Sequence, residues 1–87
     1  MLRYQRNSKT ISGRLSDELV MMNIEKGKYF SLNPVATRIW DLLETPLTTE
    51  ELCSLLREEY EVDIEQCRAD VTEVLKKMIK MEIIMKI

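Results

Sequence analysis

The chain contains no histidine, and its 87 residues include only two Cys, two Gly, two Pro, one Trp and one Phe. Without His it lacks the commonest general base near neutral pH and the commonest metal ligand, which argues against most hydrolytic and zinc chemistry. Cys53 and Cys67 stand fourteen positions apart with no CxxC motif and no third Cys. They therefore offer neither a metal site nor a redox motif, and at helical apolar spacing they read as core filling. No stretch approaches the ~18 apolar residues of a membrane span. The polar, basic start MLRYQRNSKT has no apolar run behind it, so no signal peptide is expected and the cytoplasm is the default location.

What is present fits one small globular domain, because 87 residues cannot build two cores. Apolar residues make up 45% and charged residues 32%, a balance that is neither disordered nor disulfide-framed. The net charge of −2 is unevenly distributed: residues 1–14 carry a local +4, residues 45–73 a local −7, and residues 74–87 a local +3. A nucleic-acid-binding domain normally carries a basic stripe over its docking helix, and here the middle of the chain is acidic.

The hydrophobic pattern changes period once. Leu19 to Ile24 and Tyr29 to Leu32 are apolar runs around Glu25-Lys26-Gly27-Lys28, which reads as a hairpin whose Gly suits a positive φ. Ile11 to Leu15 can supply a third, weaker strand. From Asn33 the spacing becomes helical: Asn33 as N-cap and Pro34 at the first position start a helix over about 34–44, which Thr45-Pro46 ends. Thr48 with Glu51 forms a capping box, with Leu47 and Leu52 as a hydrophobic staple, predicting a second helix over about 49–60. Asp63 with Gln66 repeats the signature for a third over about 64–82, and the apolar tail 83–87 must pack, as a short strand. Strands followed by helices give an α+β domain: a three-stranded antiparallel sheet followed by three helices, the last two a helix-turn-helix pair.

No catalytic constellation is visible. The carboxylates cluster at adjacent positions such as Glu50-Glu51 and Glu58-Glu59, as on solvated helical faces, so the chain is not expected to be an enzyme and needs no metal or cofactor. Two features point to binding. The third helix places Ile64, Cys67, Val71, Val74, Met78 and Met81 on a core stripe, while Arg68, Thr72, Leu75 and Ile79 form a second row on one shoulder. The run from Leu19 to Ile24 is apolar on both of its alternating faces, more than one sheet needs to cover. An open edge strand can accept an extended peptide, and dimerisation through the same edge or the Met21/Met22 face remains an alternative, as does a winged-helix DNA-binding module.

The segment Gly27-Lys28-Tyr29-Phe30-Ser31-Leu32-Asn33-Pro34-Val35-Ala36-Thr37-Arg38-Ile39-Trp40-Asp41-Leu42-Leu43 resembles the PqqD-like family: a Gly, a short strand ending in Leu-Asn, an Ala three residues on, then Ile-Trp and Leu-Leu. Thr48-Thr49-Glu50-Glu51-Leu52, the Leu55/Leu56/Tyr60 spacing and Val71 to Ile84 continue the likeness, which spans roughly residues 15–84 of a domain whose core is about 11–84. The resemblance implies a winged helix-turn-helix-like fold that binds the leader of a ribosomally made precursor peptide by strand addition and delivers it to modifying enzymes. The short chain is similar to the stand-alone recognition proteins of lasso-peptide clusters, whose partners are a leader peptidase and an ATP-dependent macrocyclase. No nucleic-acid or membrane partner is implied. The resemblance puts Lys28, Tyr29, Phe30, Ser31 and Leu32 on the binding surface together with the shoulder of Arg68, Thr72, Leu75 and Ile79, with Val71 adding to an apolar pocket. In that arrangement Arg68 meets an acidic group or carbonyl of the peptide, Thr72 donates a hydrogen bond, and Leu75→Asp weakens peptide binding with the fold intact.

Overall fold

The computed structural model describes residues 2–15 and 18–87. The element order is β1 (Tyr4–Arg6), β2 (Thr10–Leu15), β3 (Glu18–Asn23), β4 (Lys28–Leu32), α1 (Pro34–Leu42), α2 (Thr49–Glu59), α3 (Ile64–Lys80) and β5 (Ile84–Lys86). β2, β3 and β4 form the three-stranded antiparallel sheet, and β1 pairs with β5 in a separate two-stranded ribbon. The α+β, winged helix-turn-helix-like reading therefore holds, with helix ends within two residues of those expected. The ribbon is the addition: β5 matches the expected short strand of the tail, but β1 lay in a segment too polar to show a strand pattern.

Each helix starts where the caps put it. The Asn33 side chain accepts the Ala36 N–H at 2.8 Å, Thr48 and Glu51 exchange both bonds of the capping box, and Asp63 accepts from Glu65 and Gln66. These side chains satisfy N–H groups that the first turn leaves without an intrahelical partner. At the end of α1 no basic residue lies in the last turn. Arg6 of β1 takes that place: its guanidinium donates to the Trp40 carbonyl at 3.0 and 2.7 Å and sits 4.5 Å over the Trp40 ring.

The core gathers Leu19, Met21 and Leu32 from the sheet, Ile39, Trp40 and Leu43 from α1 and its end, Leu52 and Leu56 from α2, and Cys67, Val71, Leu75 and Met78 from α3. Ile83 and Ile84 close it from the tail. Full burial of each large side chain contributes about 1.5–3 kcal/mol. Cys53 and Cys67 are free and buried at the α2–α3 contact, the Cys67 thiol 4.0 Å from the Cys53 carbonyl. Burial, with Cys67 close by, pushes the Cys53 thiol up to about 11, so it is no thiolate nucleophile at neutral pH. Core filling is the role the structure gives the pair.

Candidate functional site

Register decides which backbone groups of β4 are free. Between β2 and β3, the Ile24 N–H donates to the Lys9 carbonyl at 2.9 Å, just beyond the Thr10↔Asn23 pair, which makes that pair a non-hydrogen-bonded one. Antiparallel alternation then turns the backbone groups of Val20 and Met22 toward β2 and those of Leu19, Met21 and Asn23 toward β4. Their partners on β4 are Leu32, Phe30 and Lys28. Tyr29 and Ser31 are left with their N–H and C=O groups aimed at the outer edge of the sheet, where no strand is paired among the described residues. Two residues thus present four unpaired backbone groups in the spacing a further strand requires.

Beside this edge lies a groove of about 450 Å³, lined by Lys26, Lys28 and Phe30 of the hairpin and by Lys80, Met81 and Glu82 at the end of α3. Glu82 links its two walls. This residue follows the α3 C-cap with φ 61°, in the left-handed region where helices usually end on Gly. Its carbonyl accepts from the Asn23 side chain at 2.8 Å and from Asn7 at 2.8 Å, tying the hairpin turn to the helix end. The buried Asn23, the one polar residue in the apolar run of β3, also accepts the Lys26 N–H and so shapes the turn, where Gly27 adopts φ 66°. A smaller depression of about 210 Å³ lies near the start of α1 and the first half of α3, lined by Val35, Leu56, Tyr60, Val62, Asp70 and Val71. Asp70, Val74, Lys77 and Met81 recur at helical spacing along the α3 flank that joins the two hollows.

The residues anticipated from sequence divide between two places. Lys28 and Phe30 line the groove, and Tyr29 and Ser31 supply the open backbone groups. Leu32 is buried in the core and touches the edge through its strand position alone. Thr72, Leu75 and Ile79 lie on the other shoulder of α3, in a separate depression of about 180 Å³ shared with Tyr4 of β1 and Lys86 of β5. Leu75 and Val71 are each 1% exposed, so both are core residues. An Asp at position 75 would bury a charge, and the expectation that Leu75→Asp leaves the fold intact does not survive. Arg68 is held by Glu50 of α2 through bonds of 2.8 and 3.0 Å. The β1–β5 ribbon lies on the Leu75 side of α3, whose buried stripe runs through Cys67, Val71, Leu75 and Met78, with Thr72, Val74, Ile79 and Met81 half-buried on its two flanks. Sequence reasoning passed over Lys26, Lys80, Met81 and Glu82, although the hairpin lysines and the basic end of the third helix were visible in it. Similarly, Met21 is fully buried while Met22 is on the opposite face of β3, so no single surface presents both.

Ion pairs fix the helices around the site. Glu59 accepts three bonds from the Arg38 guanidinium, Glu50 accepts from Arg68, and Glu51 accepts the Thr48 N–H. In each case the hydrogen bond to the ionised form holds the carboxyl below its ordinary value. Arg68 is the one cation in the first three turns of α3, and its pairing with Glu50 leaves that stretch poorly suited to phosphate contacts. Among the described residues no His/Cys/Asp/Glu group could hold a metal, and no helix is long and apolar enough to cross a membrane.

The sequence matches the family described as coenzyme PQQ synthesis protein D (PqqD) over residues 18–84. The chain belongs to the PqqD family. That span covers the hairpin of β3 and β4, all three helices and the first residue of β5. Among solved structures, the chain is similar to TbiB1 in complex with the TbiA(beta) leader peptide, with a TM-score of 0.82 and 29% identity over 92% of this chain and 93% of that one. It is also similar to a lasso peptide synthetase B1 complexed with the leader peptide, with a TM-score of 0.74 over 94% of this chain and 96% of that one. At 16% identity the second likeness is one of fold alone. No curated protein sequence matches the chain.

Proposed function

We propose that this PqqD-family chain is a non-enzymatic adaptor that binds the leader segment of a ribosomally made precursor peptide, of the lasso class, by adding it as a strand to β4. The observation that carries the reading is the β4 edge: Tyr29 and Ser31 turn unpaired backbone groups outward directly beside the groove under α3. Strand addition of this kind draws affinity from main-chain hydrogen bonds and specificity from pockets for alternate side chains. Phe30 and Met81 offer the apolar surface between strand and helix, and Val35, Tyr60 and Val62 offer a second hollow farther along. The likeness to TbiB1, whose solved structure is a complex with the TbiA(beta) leader peptide, supports the same use of the same fold.

The adaptor holds its peptide and hands it to separate modifying enzymes, a leader peptidase and an ATP-dependent macrocyclase, in the cytoplasm. The reading is tested by titrating the protein, by calorimetry, with the TbiA(beta) leader peptide and with peptides selected on it from a displayed random library. Saturable one-to-one binding, lost when alternate peptide bonds of the ligand are N-methylated, is the expected result. Binding that survives N-methylation in either register would rule out strand addition.

A further inference from the structure

The groove beside β4 has a charge pattern that the fold does not require. Lys26, Lys28 and Lys80 line it against a single carboxylate, Glu82, in a chain whose net charge is −2. Lys80 lies in the last turn of α3, where a cation complements the helix dipole, and that accounts for its sign. Lys26 and Lys28 belong to the hairpin, to which this explanation does not extend. Glu82 faces Lys26 at 3.5 Å. Among the described residues neither Lys28 nor Lys80 forms an ion pair, and both are exposed at the groove.

We infer that Lys28 and Lys80 select peptides carrying a carboxylate side chain at one fixed position of the added strand. The inference rests on the strand-addition reading and deepens it. Cross-strand neighbours in a sheet share a face, so the peptide residue opposite Lys28 points to the groove side, as does the residue opposite Phe30 two positions along. The first is placed at Lys28 and the second at Phe30, with Lys80 and Met81 on the α3 wall of the same groove. The preferred ligand therefore has Asp or Glu separated by one residue from an apolar side chain. Glu82 already occupies Lys26, so the groove retains two unpaired cations for the incoming carboxylate.

The test is to select a displayed library of random short peptides on the unmodified protein and on the Lys28→Glu/Lys80→Glu variant. Both positions are exposed, and circular dichroism checks that the variant is folded. The unmodified protein is expected to enrich Asp or Glu two positions from an apolar residue, and the variant to enrich Lys or Arg at that same position. Replacing the selected Glu by Gln should weaken binding about five-fold at low salt, with the difference vanishing near molar salt. Enrichment of peptides with no acidic position, or the same acidic preference on both proteins, would overturn the charge selection while leaving strand addition standing. Failure of the unmodified protein to enrich any peptide would overturn both.

Discussion

The two shoulders of α3 carry similar residues and meet different neighbours. On one, Thr72, Leu75 and Ile79 lie against the β1–β5 ribbon, whose strands join residues at the two ends of the chain, Tyr4↔Lys86 and Arg6↔Ile84. On the other, Met81 lines the groove beside β4, and Val74 packs half-buried against the core. A mixed apolar face on a helix thus marks a place to be covered without saying by what. The chain's own ribbon borders one shoulder, and the other borders the β4 edge, where two residues carry backbone groups unpaired among the described residues.

The contrast is broken most forcefully at its closed side. Leu75→Asp puts a carboxylate where 1% of the residue is exposed, and should cost more than about 4 kcal/mol, enough to unfold a domain of this size. Chemical denaturation measures it; a folded variant that merely lost peptide affinity would return Leu75 to the binding surface. Arg6→Ala acts on the same closed side more mildly. It removes the guanidinium from the Trp40 carbonyl and ring, for an expected loss of about 1–2 kcal/mol in denaturant titrations with peptide affinity unchanged.

On the open side, Ser31→Pro deletes an N–H that bonds to nothing in the sheet, a substitution edge strands tolerate. Peptide affinity should fall about ten-fold, or ~1.4 kcal/mol, while the thermal midpoint moves little. Met81→Ala should weaken peptide binding by a few-fold through lost apolar contact, whereas Thr72→Ala on the far shoulder should leave it unchanged; both are read by calorimetry. The smallest effect expected is on pH. Glu50, Glu51 and Glu59 have their folded values depressed by Arg68, Thr48 and Arg38, so their contribution is complete above the ordinary value of 4.5 and lost as pH falls below it through the depressed values. These groups are exposed, and the denaturation midpoint should drop only modestly between about pH 5 and pH 3.

Much of this arrangement is legible in the sequence because it is local. Asn33, Thr48 and Asp63 announce their helices through bonds made within three residues, and Gly27 announces the hairpin through its own φ. The edge position of β4 also follows from chain order, since the hairpin partner on its other side is β3. What could not be read was decided far away in sequence. Tyr4, Gln5 and Arg6 have no strand-like alternation, and only their pairing with residues 84–86 makes them a strand. That pairing sets Tyr4 and Lys86 beside Thr72, Leu75 and Ile79 of α3. Thr72 and Ile79, expected on the binding surface, line the hollow they share with Tyr4 and Lys86, and Met81, assigned to the core, lines the groove beside β4. A local pattern sets the width of a helix's apolar stripe; the partner packed against it sets the centre.

In the proposed function β4, and no other edge, receives the peptide. β2 has an open edge too, where the alternation turns the amides of Ser12 and Arg14 outward. Amide hydrogen exchange, followed residue by residue with and without saturating selected peptide, compares the two edges in one experiment. Strong new protection at Tyr29 and Ser31, with Ser12 and Arg14 unchanged, is the expected result. Protection at Ser12 and Arg14 instead, or at neither edge, would contradict it.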